Sequence, residues 1–240
     1  MTNRKPTVVL VHGAFAESAS WVGVVEQLQA EAVPVVAVAN PLRDLPAGAT
    51  YLRDVIAAVE GPVVLVGHSY GGMVITEAAA GLDGVAALVY VCAFAPDHGE
   101  SAFELSTRFP GSTLGETLAA HPVTAGGVEF TIRPDAFHHQ FAADTSPAQA
   151  AVMSATQRPV TETALRTGLP TGTPAWRTLP SWFVYGDQDL CIPVALHRQM
   201  AERAGAEGVR EIPGASHALT VSRPDVVTTA ILDAIDTVTA

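Results

Sequence analysis

A serine stands between two glycines in Gly67-His-Ser-Tyr-Gly71, directly after the apolar run Pro62 to Val66 and before a helix-like stretch from about Gly72 to Ala80. Serine hydroxyls attack poorly at neutral pH, so such a residue needs a base beside it, and the base needs an acid to hold its tautomer. Both occur later in the chain. Tyr185-Gly-Asp-Gln-Asp-Leu-Cys-Ile-Pro193 follows one late apolar run, and Pro213-Gly-Ala-Ser-His217 follows the next. The order Ser, Asp, His is the one expected when all three hang from the carboxyl ends of successive strands. The chemistry expected of such a set is acyl transfer, with Ser69 as nucleophile and His217 as general base.

The rivals are weighed by position. Of the eight histidines, His12 and His68 adjoin the first-strand and serine turns and are expected to be structural. His98, His121, His138 and His139 lie in a region without sheet character, and His197 lies on a helix. Only His217 follows a late strand in a glycine-containing loop. For the acid, Asp189 is favoured over Asp187 because it lies farther into its loop, and Asp97, after the fourth apolar run, is a third candidate. Two backbone N–H groups must face the developing oxyanion. Tyr70, after the nucleophile, is expected to supply one, and Ala14, in Val11-His-Gly-Ala-Phe15, the other.

The elements that position these residues follow from hydrophobic patterning. Runs rich in Val, Ile and Leu, at Thr7 to Val11, Val33 to Ala39, Pro62 to Val66, Val85 to Cys92, Ser181 to Tyr185 and Gly208 to Ile212, suit strands buried on both faces. Between them lie helical spacings, such as Tyr51, Leu52, Val55, Ile56 and Val59. Strand and helix alternate, which predicts an α/β fold: a mostly parallel, doubly wound sheet of about six strands. The alternation stops between about Pro96 and Pro180, where no strong strand run appears and short helical pieces are expected, one of them starting at Thr145-Ser-Pro147. The domain reading is a core of residues 1–95 and 180–240 with a mainly helical cap inserted at 96–179. Between sheet and cap, Phe15, Tyr70, Phe94, Phe137, Trp176 and Leu190 are the expected substrate contacts.

Composition sets the class. In 240 residues, 48% are apolar and 15% charged, which suits a compact domain, and a net charge of −11 would repel nucleic acid and anionic lipid. A small neutral or apolar molecule is the expected partner. Cys92 and Cys191 lack metal-ligand spacing, so no metal, cofactor or disulfide is expected. The apolar run of Val8 to Val11 is too short for a signal-peptide core or membrane span, and a cytoplasmic location is the expectation. Oligomeric state has no signature.

Together, His12-Gly-Ala-Phe15, Gly67-His-Ser-Tyr-Gly-Gly72, Gly186-Asp-Gln-Asp189 and Gly214-Ala-Ser-His217 resemble the α/β-hydrolase superfamily over nearly the whole chain. Val11 to Trp21, Asn40-Pro-Leu42 and His217 to Pro224 are similar to a bacterial branch of small esterases related to plant methylesterases and hydroxynitrile lyases. The resemblance implies that the second aspartate of Asp187-Gln-Asp189 is the triad acid. It also implies that lyase activity is disfavoured, because such lyases carry lysine after the catalytic histidine and threonine in the first loop, where this chain has Ala218 and Ala14. Dehalogenases and most epoxide hydrolases of the superfamily use aspartate where Ser69 stands. Ester hydrolysis through an acyl-enzyme is therefore expected. The alternatives are lactone opening, perhydrolysis or carbon–carbon hydrolysis on the same triad, or ligand binding with negligible turnover.

Overall fold

The computed structural model describes residues 5–124 and 126–240. Its first part runs β1 (Thr7–Val11), α1 (Val22–Ala30), β2 (Val35–Val38), α2 (Leu45–Ala57), β3 (Val63–His68), α3 (Gly71–Ala79) and β4 (Val85–Val91). A long excursion follows, with α4 (Ala102–Ser106), α5 (Leu114–Thr117), β5 (Leu118–Pro122), β6 (Val128–Ile132), α6 (Pro134–Phe141), α7 (Pro147–Thr156), β7 (Val160–Thr161) and α8 (Glu162–Arg166). The chain then re-enters the sheet as β8 (Ser181–Gly186), α9 (Val194–Ala204), β9 (Gly208–Ile212), α10 (Leu219–Ser222) and α11 (Pro224–Thr239).

Six strands form one sheet in the order β2-β1-β3-β4-β8-β9, and every neighbouring pair is parallel. The fold is the α/β sheet that the apolar runs predict. β1, β3 and β8 are buried at every residue, as strands covered on both faces must be. The covering layers are α1 packed with α11 and α2 packed with α3. Helix starts follow their capping chemistry: the Asp44 carboxylate accepts the Ala47 N–H at 2.7 Å, and Ser146 and Gln149 form a capping box with Pro147 as the first residue of α7.

The excursion between β4 and β8 holds the helical pieces expected there and also a second sheet, β5-β6-β7, antiparallel throughout. No strand run in the sequence announces it. β5 and β6 are mostly half-buried or exposed and mix polar with apolar residues, and β7 spans two residues.

Because the main sheet is parallel, the carboxyl ends of β1, β3, β8 and β9 open on one edge. The loops carrying Ala14, Ser69, Asp189 and His217 all leave from that edge, which is where open α/β sheets bind ligands.

Candidate active site

Ser69 occupies the sharp turn between β3 and α3. Its φ is +54°, a left-handed conformation that costs a non-glycine residue about 1–3 kcal/mol and persists only where the surroundings enforce it. Enforcement comes from both sides. The Ser69 N–H donates to the Val91 carbonyl, and the Ser69 carbonyl accepts from Gly72 and Phe94. A Cβ on Gly71 would lie 2.3 Å from the Val11 carbonyl oxygen, so this approach of elbow to first strand admits only glycine. Ser69 is thus presented at the start of α3, whose amino terminus favours negative charge.

Asp189 and His217 meet below. Nδ1 of His217 lies 2.7 Å from Oδ2 of Asp189, and both side chains are buried. Since an ionised carboxylate only accepts, Nδ1 carries the proton and Nε2 keeps the lone pair that a base needs. The acid is locked on its other side, where Oδ1 accepts the N–H groups of Cys191 at 2.8 Å and Ile192 at 2.9 Å. Burial pushes the Asp189 carboxyl up. The adjoining His217 and the hydrogen bonds from His197 and His217 outweigh that and hold it well below the usual carboxylate range.

The rival acids are engaged elsewhere. Asp187 accepts the Gly214 N–H at 2.7 Å and so ties the acid loop to the histidine loop. Asp97 pairs with Arg177 at 2.6 Å.

Two histidines near the elbow act as fixed neutral props. Nε2 of His68 donates to the His217 carbonyl at 3.0 Å, tying the elbow to the histidine loop. Burial, reinforced by the neighbouring His217, lowers the His68 pKa to about 3. Nδ1 of His12 donates to the Gly13 carbonyl at 2.9 Å, while its Nε2 accepts the Asn40 N–H at 3.0 Å. Burial takes its pKa to about 4.

The first loop lies against Ser69: a Cβ on Gly13 would be 2.5 Å from Ser69 Cβ and 3.1 Å from Ser69 Oγ. Beyond it, the Phe15 N–H is taken by the Arg158 carbonyl at 3.1 Å. The Ala14 and Tyr70 N–H groups have no hydrogen-bond acceptor among the described residues. Free backbone N–H groups of this kind can stabilise an oxyanion.

Ser69 and His217 open into one cavity of about 430 Å³, also lined by Ala14, Phe15, Tyr70 and Phe94. Its outer wall is the segment from Phe103 to Glu116, with Phe103, Phe109 and Leu114 contributing apolar surface. Three expected contacts do not line it. Phe137 is fully buried and stacked on Phe141, which meets His217 edge-on, so it backs the histidine loop. Trp176 turns its indole N–H onto the Pro96 carbonyl at 2.7 Å. Leu190 is held through its carbonyl by Thr113 and Gln140, and its neighbours Cys191 and Ile192 face the cavity instead. Aromatic identity alone does not separate wall from core.

Two further residues at the site escaped sequence reading. Asp144, between α6 and α7, accepts a hydrogen bond from Ser216 Oγ beside His217. His197 reaches Asp189 Oδ2 at 3.2 Å. The only sequence signal for His197 is that its helix begins directly after the acid loop.

Among the described residues, Cys92, Asp189 and His217 offer donor atoms within 4.8 Å of one another. Asp189 and His217 are already bonded to each other, and burial raises the Cys92 thiol well above its ordinary value, so the set does not suit a metal. No helix among the described residues is long and apolar enough to cross a membrane.

The chain is similar to known proteins in sequence and in fold. The profile of the alpha/beta hydrolase family matches residues 8–230. Alpha/beta hydrolase nvfD of Aspergillus novofumigatus is 29% identical over 254 residues, covering 96% of each chain. A carbendazim hydrolyzing esterase of a Nocardioides species is 48% identical over 86 residues, which is 30% of this chain and 36% of that protein. Among solved structures, a pyrethroid hydrolase of Sphingobium faniae superposes with a TM-score of 0.75 at 25% identity, covering 96% of this chain and 97% of the other.

Proposed function

We propose, from the premise that this chain belongs to the alpha/beta hydrolase family, that it hydrolyses carboxylic esters of small, neutral or apolar molecules through an acyl-enzyme. The observation that carries the reading is the Asp189–His217 bond of 2.7 Å beside a cavity that Ser69, strained at φ +54°, also lines. Two of the relatives, an esterase and a pyrethroid hydrolase by name, are consistent with it.

In this mechanism Ser69 Oγ attacks the ester carbonyl as Nε2 of His217 takes its proton. Asp189 holds the imidazole and offsets its charge, and the Ala14 and Tyr70 N–H groups receive the oxyanion. His217 then protonates the departing alcohol, and water repeats the sequence on the acyl-enzyme. The cavity wall combines aromatic and aliphatic side chains with the hydroxyl residues Ser106, Thr107, Ser112 and Thr113, and has Glu116 as its one formally charged carboxylate and no lysine or arginine. An anionic substrate would meet no counter-charge there. Residues 96–179 act as the cap that shapes acyl and alcohol selection.

The test is Ser69→Ala with a short p-nitrophenyl ester. Turnover should fall by about 10⁴-fold or more, with the melting temperature preserved. Turnover that survives the substitution excludes Ser69 as nucleophile.

A further inference from the structure

Asp189 receives one side-chain donor more than the proposed reaction uses. Its Oδ1 takes two backbone N–H groups, and its Oδ2 takes both Nδ1 of His217 at 2.7 Å and Nε2 of His197 at 3.2 Å. A carboxylate has about four lone-pair sites, so this one is saturated by protein. His197 is fully buried on α9, its ring stacked on Tyr185 with centroids 4.8 Å apart and planes 9° apart.

The carboxylate dictates the tautomer of His197. Nε2 must carry the proton, which leaves Nδ1 a bare lone pair, and that nitrogen has no hydrogen-bond partner among the described residues. An unpaired buried nitrogen destabilises the fold. Leucine or phenylalanine would fill the space without that cost, so what distinguishes histidine here is its N–H on Asp189.

We propose that His197 is a positioning residue: by donating to the oxygen that holds His217, it fixes the rotation of Asp189 and weakens that carboxylate's grip on the His217 imidazolium. The inference rests on the acyl-transfer reading above. Its direction follows from charge sharing. A second donor on Oδ2 draws density away from the Asp189–His217 bond, so the imidazolium gains less from the carboxylate.

The other ionisable groups are accounted for. His217 faces Asp189, the neutral His68 ring at 4.8 Å and the Cys92 thiol, which burial keeps protonated, and the Asp144 carboxylate lies beside it on the Ser216 hydroxyl. His197 faces Asp189, His217 and Tyr185, with Glu211 beyond, itself paired to Arg198. Burial holds His197 itself neutral against the pull of Asp189.

Two variants separate positioning from packing. His197→Leu should raise the acid limb of the kcat/KM profile by about half a pH unit or more and lower kcat by about tenfold, with KM nearly unchanged. His197→Gln, whose amide can still donate, should restore both. A folded His197→Leu protein with the wild-type acid limb and kcat overturns the proposal, as does a Gln variant as impaired as Leu. Nitrogen NMR of the unsubstituted protein gives a reading that needs no variant to fold. His197 should appear at pH 7 as the neutral Nε2–H tautomer, and an Nδ1–H tautomer or an imidazolium would overturn the assignment. The Ser69→Ala control keeps the two readings apart. Turnover surviving it refutes the nucleophile, whereas its loss together with an unmoved Leu profile refutes only the role of His197.

Discussion

Gly13→Ala isolates the contribution of the first loop. Gly13 is not among the residues with positive φ, so alanine would be conformationally ordinary there and the whole effect comes from space. The added methyl would sit 2.5 Å from Ser69 Cβ and 2.8 Å from the His68 carbonyl oxygen. Ordinary contact begins near 3.4 Å, so elbow and loop must part by about 0.9 Å at the nearest pair of atoms. A misplacement of about 1 Å typically costs on the order of 10² in rate. Losing one oxyanion donor costs about 3 kcal/mol, which is also near 10². The two routes agree because they describe one displacement, that of the Ala14 N–H from the oxyanion position. Overpacking should cost a further 1–3 kcal/mol or so of stability. The assay is kcat and KM with a p-nitrophenyl ester beside a thermal melt. The expected pattern is kcat down by about 100-fold, KM within about threefold and a lowered melting temperature. A variant that keeps kcat within about threefold of wild type refutes the placement of the oxyanion donor in this loop.

Asp189→Asn should lower kcat by about 10⁴-fold with the fold intact, because an amide can hold His217 in the wrong tautomer; a loss below about tenfold would mean that another group orients the base. Acid stability has its own signature. His12 and His68 have folded pKa values of about 4 and 3, against 6.5 when unfolded, so the unfolded chain binds protons first as pH falls. Their contribution is complete above about pH 6.5 and declines toward pH 4 for His12 and pH 3 for His68, by about 2 kcal/mol each at pH 5. Urea midpoints at pH 7 and pH 5 check this, and an unchanged midpoint contradicts the burial of the two rings as neutral bases.

What was readable in the chain follows from how strongly each part is constrained locally. Parallel strands covered on both faces must be continuous apolar runs, so Thr7–Val11 and Ser181–Gly186 could be recognised without tertiary information. The candidates Ser69 and Asp189 stand out because each follows a fully buried strand in a loop of distinctive composition, whereas His217 follows Gly208–Ile212, a half-exposed strand with Arg210 and Glu211, and is marked only by its Gly214-Ala-Ser loop. The small sheet was not, since Leu118–Pro122 and Val128–Ile132 are half-exposed and alternate too weakly to stand out from coil. Phe137 and Trp176 were misplaced for a different reason. A large aromatic side chain has the same preference for a pocket wall and for a core, and only the packing of α6 and the indole N–H on Pro96 decides between them. His197 reads as an ordinary helix residue until the turn of α9 brings it back over the acid loop.

The bond from the Phe15 N–H to the Arg158 carbonyl, and that from Ser216 to Asp144, bear on how this scaffold can diversify. Both anchors belong to the long excursion, yet one holds the loop of Ala14 and the other the loop of His217. Exchanging the whole excursion for that of a relative would therefore disturb rate along with selectivity. Ser112 and Thr113 likewise bond the carbonyls of Cys191 and Leu190 in the Asp189 loop, whereas the segment from Phe103 to Phe109 touches the cavity and carries no such anchor. Libraries meant to retune acyl or alcohol preference should vary that stretch and leave Asp144 and the backbone at Arg158 untouched.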